Sequence, residues 1–227
     1  ILSSQNPQTG MTTYFQPMAT GYFKVYSTPY DSFWCCTGTG MENFTKLNDG
    51  IYYTGANPEV LEITVGRYIS SEFALPERTL KLKMNANYPY SEDSSIVISD
   101  IGENTYLHFI LRLRIPDWCN GSYKVDIGGS CEGITEKDGF IYIDRNWKSN
   151  DKLNMKWNMA VTYERLQDNQ YAVAFKYGPV VLCAGLGTEN METSKTGVDV
   201  TIPACKIDLK DYIFIKNMTV EQWLSDI

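Results

Sequence analysis

Leu111-Arg112-Leu113-Arg114-Ile115-Pro116 is the run on which the fold reading turns. Apolar residues take every second position and guanidinium groups the positions between. Successive side chains of a β-strand point to opposite faces, so Leu111, Leu113 and Ile115 share one face and Arg112 and Arg114 the other. A slip of one residue would bury both arginines, which fixes the register strongly. Pro116 has no N–H to give and ends the ladder. The two arginines read as a binding row, or as a solvated or domain-facing sheet surface.

The same alternation recurs outward from this strand, through Ile51–Tyr53, Leu61–Val65, Thr79–Met84, Tyr106–Ile115, Tyr123–Ile127, Phe140–Ile143, Lys152–Trp157, Tyr171–Phe175 and Val180–Cys183. Asn57-Pro58, Asn120-Gly121, Gly128-Gly129, Asp138-Gly139 and Ser149-Asn150-Asp151 separate the runs. Short strands at regular spacing with turn signals between them predict a mainly β protein built on an antiparallel β-sandwich. Before Ile51 the pattern differs. Residues 1–31 lack a period, and residues 37–48 predict one helix. There Thr37 or Thr39 is the cap, Met41, Phe44 and Leu47 share a face, and Asn48-Asp49-Gly50 is the stop. After about Asn190 the pattern weakens, with a helical stretch at Val220–Leu224.

Bulk composition narrows the function classes. Hydrophobic residues at 43% and charged residues at 21% describe a globular chain. The formal charge of −7, with no basic cluster to reverse it locally, argues against nucleic acid as a partner. Val180-Val181-Leu182-Cys183-Ala184 is far shorter than the roughly 20 residues a bilayer span needs, so no membrane partner is expected. The chain opens on Ile1 and reads as a fragment or processed product. Cys119, Cys131, Cys183 and Cys205 are scattered and read as small buried hydrophobes, not as a disulfide framework. His108, the one histidine, lies inside a strand run and reads as a half-buried strand residue.

Cys35 and Cys36 stand apart, in Ser32-Phe33-Trp34-Cys35-Cys36-Thr37-Gly38-Thr39-Gly40-Met41-Glu42-Asn43. Adjacent side chains rarely pack equivalently, so paired thiols are poor core residues. They suit a soft metal or a thiolate nucleophile, and a helix start just beyond them favours the anion. A vicinal disulfide and a pair of inert thiols are the competing readings. Thr37-Gly38-Thr39-Gly40 is no phosphate cradle, because it has only two glycines and no Gly-Lys-Ser/Thr follows.

The cysteine segment, with Gly21-Tyr22-Phe23-Lys24-Val25-Tyr26-Ser27-Thr28-Pro29 before it, closely resembles the bacterial β-L-arabinofuranosidases of glycoside hydrolase families 127 and 146. Leu111–Trp118, Gly139–Trp147 and Ala172–Leu182 fit the same family. The resemblance implies an (α/α)6 catalytic barrel followed by β-sandwich domains. Residues 1–50 would be the C-terminal segment of that barrel, a loop plus one helix, and residues 51–227 the β-sandwich part. It implies zinc as cofactor, Cys35 as nucleophile and zinc ligand, and Cys36 as zinc ligand. The reaction would be retaining hydrolysis of a β-L-arabinofuranoside in an arabinose-containing plant glycan or oligosaccharide, in a bacterial cytoplasm or periplasm. The family's acid/base glutamate and its Glu-x-Cys zinc ligands lie upstream of the cysteine pair and have no counterpart here. The resemblance therefore implies a fragment inactive alone, completed by a second chain or a missing N-terminal barrel. Two rival readings remain. One is a noncatalytic carbohydrate-binding or structural β-sandwich, in which Trp118, Trp147 or Trp157, if exposed, would be stacking platforms and otherwise pack in the core or between domains. The other is a redox- or metal-sensing thiol pair.

Overall fold

The computed structural model describes residues 6, 8–11, 13, 22, 24–26, 38, 42, 43, 45, 46, 48–55, 59–130, 133–170, 172–185, 191–195, 201–205 and 217–225. The chain divides into a unit spanning Asp49–Cys183 and a second made of Ile1–Asn48 with Ala184–Ile227.

Asp49–Cys183 is almost all β. Sheet I orders its strands β1 (Tyr52–Thr54), β2 (Glu62–Val65), β6 (Leu107–Arg114), β9 (Phe140–Trp147) and β8 (Ile134–Lys137). Sheet II orders β3 (Ser71–Leu75), β4 (Leu80–Ala86), β5 (Asp93–Asp100), β10 (Lys152–Trp157) and β7 (Tyr123–Ile127). A three-stranded sheet of β11 (Val161–Arg165), β12 (Val173–Tyr177) and β13 (Val180–Val181) follows. The strands pair antiparallel apart from β2 with β6, which run parallel.

The alternation read along 111–115 governs this architecture. Leu111 and Leu113 are fully buried, while Arg112 and Arg114 lie on the outer face of sheet I. Sheet II contributes Leu82, Ile96, Ile98 and Leu153, also fully buried, to the same core cluster as Ile63, Phe109 and Ile143 of sheet I. One cluster shared by two sheets is the interior of a sandwich. Each such side chain contributes about 1.5–3 kcal/mol relative to an exposed position. Tyr52 of β1 and Phe73 of β3 join the two sheets with ring centroids 5.0 Å apart.

Local signals set the corners. Asp138 (φ 53°) and Gly139 (φ 76°) supply the two positive-φ residues that a tight turn needs to match the twist of its strands, and they join β8 to β9. Gly66 is needed for a different reason: a Cβ there would stand 2.8 Å from the Gly50 carbonyl oxygen. β3, β5, β8 and β11 were absent from the strand pattern read along the sequence. β5 reads Asp-Ser-Ser-Ile-Val-Ile-Ser-Asp, whose serines and consecutive Ile-Val-Ile blur the period.

In the second unit, β14 (Met191–Lys195) pairs antiparallel with β15 (Thr201–Cys205). A short helix, Val220–Ser225, occupies the expected helical stretch. Its N-terminus is a reciprocal cap: Gln222 N–H donates to Thr219 Oγ1 at 3.2 Å, and Thr219 N–H to Gln222 Oε1 at 2.8 Å. Within the helix predicted over 37–48, the described residues Gly38, Glu42, Asn43 and Thr45 are helical.

Candidate functional site

Cys35 and Cys36 lie outside the described residues. Just beyond them, Thr45 Oγ1 donates back to the Glu42 carbonyl at 2.6 Å, the within-turn bond an exposed helical threonine makes. Among the described residues no group of three or more His, Cys, Asp or Glu could hold a metal, and no helix is long and apolar enough to cross a membrane.

The described unit offers two outer faces. On sheet I, alternation in β9 turns Phe140 and Tyr142 outward, beside Arg112 of β6. The Arg112 guanidinium stands 4.2 Å from the Phe140 ring centroid and 5.1 Å from that of Tyr142. Its Nη1 donates to Glu62 Oε1 at 2.8 Å. Arg114 Nε donates to the Gly66 carbonyl at 2.9 Å. Both arginines are thus engaged within the unit. His108 lies on this face with its ring about half exposed (51%), and its Nε2 is 2.8 Å from Asp144 Oδ1.

The outer face of sheet II is a trough of about 580 Å³. Register builds its floor. Asn85 of β4 faces Ser95 of β5, Ser95 faces Asn154 of β10, and Asn154 faces Asp126 of β7. Four strands, β4, β5, β10 and β7, thus place two amides, a hydroxyl and a carboxylate in one row. Asp126 Oδ1 accepts from Gly129 N–H at 2.9 Å and from Asn154 Nδ2 at 3.3 Å. Those two bonds, the backbone one first, hold its carboxyl below the usual range. Lys124, Lys152 and Lys156 also line the trough. No signal in the sequence could have found this row, because alternation names a residue's face but not the strand beside it.

The tyrosines near the core serve structure. Burial is the main cause that raises Tyr68 well above the ordinary phenol value, with Tyr88 adding to it, and Tyr68 Oη donates to the Arg114 carbonyl at 2.7 Å. Burial also pushes Tyr88 up to about 12. Tyr123 is likewise pushed up to about 12, by burial first and then by its hydrogen bond to Glu136. A nucleophile needs its pKa lowered, so these phenols are not candidates.

Of the two readings of the indoles, core packing holds for Trp147 and Trp157, which are fully buried and cannot stack on a ligand. The sandwich has two apolar inner faces to fill, and both indoles lie at inward positions of their strands; Trp118 is partly buried against the same core. Cys183 is exposed, not a buried hydrophobe, whereas Cys119 is buried with its thiol raised, chiefly by desolvation. Cys131 and the side chain of Cys205 lie outside the described residues.

Comparison with known proteins joins these parts. Residues 1–49 match the family described as β-L-arabinofuranosidase, GH127 catalytic domain, and residues 62–159 match its middle domain. A non-reducing end β-L-arabinofuranosidase of Bifidobacterium longum subsp. longum is 27% identical over 109 residues, 46% of this chain and 17% of that protein. The crystal structure of a GH127 β-L-arabinofuranosidase from Geobacillus stearothermophilus T6 superposes with a TM-score of 0.54 at 25% identity, covering 65% of this chain and 23% of that one. A second GH127 β-arabinofuranosidase shares the fold with a TM-score of 0.65 at 21% identity, over 79% of this chain and 30% of its own. The matched region spans less than a quarter of the Bifidobacterium and Geobacillus proteins. The chain belongs to the GH127 β-L-arabinofuranosidase family, of which it carries part of the catalytic domain together with the middle domain.

Proposed function

We propose that the complete enzyme hydrolyses β-L-arabinofuranosides with retention of configuration, and that Cys35 is its nucleophile. The observation that carries this reading is the catalytic-domain match over residues 1–49, which contain the cysteine pair. Residues 1–50 are then the last segment of an (α/α)6 barrel, and residues 51–227 its β-sandwich part. The substrate is an arabinose-containing glycan or oligosaccharide.

The donor chemistry fits zinc. Two adjacent thiols are ligands of the soft kind that zinc takes, and they fill two of its roughly four positions. Cys35 and Cys36 would hold it, with the remaining ligands from the rest of the barrel or a second chain. Zinc, when bound, keeps these sulfurs as thiolates at neutral pH. Cys35 Sγ attacks the anomeric carbon, forming a C–S bond as the bond to the leaving oxygen breaks. That oxygen takes a proton from a general acid. Water, giving its proton back to the same group, then displaces the sulfur and restores the thiolate. Two displacements at one carbon return the original configuration, with sulfur in the place usually held by a carboxylate.

No residue of these 227 is assigned as the general acid, so the chain alone is expected to be inactive. The test has two arms. The isolated chain, given an aryl β-L-arabinofuranoside, should release no more phenol than its Cys35→Ala variant; release above that control refutes the inactivity. In the complete enzyme, Cys35→Ala should abolish turnover, and Cys36→Ala should lower zinc content measured by metal analysis. Undiminished turnover in the first variant would sink the nucleophile assignment.

A further inference from the structure

Outside the cysteine site, one register row crosses the whole outer face of sheet I, and we infer that it binds a neutral oligosaccharide. Tyr53 of β1 faces Thr64 of β2, Thr64 faces Arg112 of β6, Arg112 faces Tyr142 of β9, and Tyr142 faces Thr135 of β8. Neighbouring strands lie about 4.8 Å apart, so five of them make a row about 19 Å long, the reach of several linked sugars and not of one. Its polar groups are unspent. The hydroxyls of Tyr53, Thr64, Tyr142 and Thr135 make no hydrogen bond among the described residues. A hydroxyl both donates and accepts, so the row can answer sugar hydroxyls in either sense.

Two side chains of the row are held in place ahead of any ligand. A Cβ on Gly66 would stand 3.0 Å from Tyr53 Cε2, so one side of the Tyr53 ring rests on bare backbone, and the side chain is 57% exposed. A phenol ring fixed in that way is a platform for the C–H face of a sugar. The Arg112 guanidinium is held by the Phe140 ring at 4.2 Å and by Glu62 at Nη1. Its Nε is buried without a partner, whereas Nη2 is neither buried nor bonded among the described residues. A planar guanidinium already in position gives up little freedom when it donates. Charge favours a neutral ligand. Glu62 cancels Arg112 at 2.8 Å, and Arg114 and Asp144 flank the row on opposite sides with opposite charges, so no excess of either sign draws an ion.

That the neutral ligand is a sugar rests on the glycoside hydrolase reading above; the row and its free hydroxyls do not. The experiment is calorimetric titration of the whole chain with linear arabinotetraose, and with tetragalacturonate as a charged chain of equal length. Saturable binding of arabinotetraose is expected, tighter than that of tetragalacturonate and insensitive to salt. Tyr53→Ala should weaken it about tenfold, while Tyr53→Phe, which keeps the ring, should stay within about threefold of the parent. Thr135→Val, at the exposed far end of the row, should weaken it about fivefold. Circular dichroism melting establishes that these surface variants fold. Cys35→Ala should bind as the parent chain does, so this readout fails independently of the nucleophile assignment; loss of binding in that variant would place the sugar at the cysteine site and overturn the inference. Absence of saturable binding, tighter binding of tetragalacturonate, or parental affinity in both Tyr53→Ala and Thr135→Val would overturn it as well.

Discussion

Trp147→Phe and Trp157→Phe should differ in cost although both indoles are fully buried. Each change removes the same atoms from the same kind of site, so the packing and cavity losses largely cancel in the comparison. What remains is the indole N–H. Trp147 Nε1 donates to the Phe109 carbonyl at 3.1 Å, and losing that bond costs about 1 kcal/mol. Trp157 Nε1 is buried with no partner among the described residues, so phenylalanine there relieves a desolvation penalty of about 1–3 kcal/mol. Trp147→Phe should therefore be the more destabilising by at least about 2 kcal/mol. With a urea slope of about 2 kcal/mol per molar, the two midpoints should stand about 1 M apart. Far-UV circular dichroism is the suitable probe, because fluorescence would change with the indole itself. Equal midpoints, or Trp157→Phe unfolding first at an unchanged slope, would refute the assignment of bonded and orphaned indoles.

The remaining expectations concern protons and thiols. The Glu92 carboxyl is held below its ordinary 4.5, chiefly by the Met159 N–H at 2.6 Å, with burial opposing and Lys156 assisting. A lowered folded value contributes stability above the unfolded pKa, and that stability is lost as pH falls through the folded one. The gap between parent and Glu92→Gln should then be full at pH 7 and shrink below about pH 4.5; a gap constant down to pH 3 contradicts it. Tyr88, pushed up to about 12 mainly by burial, contributes stability that is whole below about pH 10 and lost as pH rises toward 12. Tyr88→Phe should hence narrow the alkaline loss of stability, and an identical alkaline profile would count against it. Iodoacetamide applied to the folded chain should label Cys183 and spare Cys119, read by peptide mass spectrometry; comparable labelling of both would mean that Cys119 is not enclosed.

How far the fold was legible depended on period. Alternation alone puts Leu111, Leu113 and Ile115 on one face, and the two leucines are fully buried with Ile115 packed partly buried against them, because a strand's two faces are set by side-chain geometry alone. Asp138-Gly139 marked its hairpin for the same local reason. β5 escaped notice because its serines do not oppose its isoleucines strongly enough to make a period, although Ser94 is buried with Ile96 and Ile98. The cysteine pair was legible as motif chemistry, and it falls within the stretch, residues 1–49, that matches the family's catalytic domain.

Partnership between strands was not legible. Nothing in Glu62–Val65 says that it lies parallel to Leu107–Arg114, and nothing in Lys152–Trp157 says that it sits between β5 and β7. Backbone hydrogen bonds are the same for any pair of strands, so the choice falls to packing of the whole sandwich. That choice sorted Trp147 and Trp157 into the core, and it assembled Asn85, Ser95, Asn154 and Asp126 into one row. Chain-local chemistry settled which way each side chain points; the packing of distant segments settled which side chains meet.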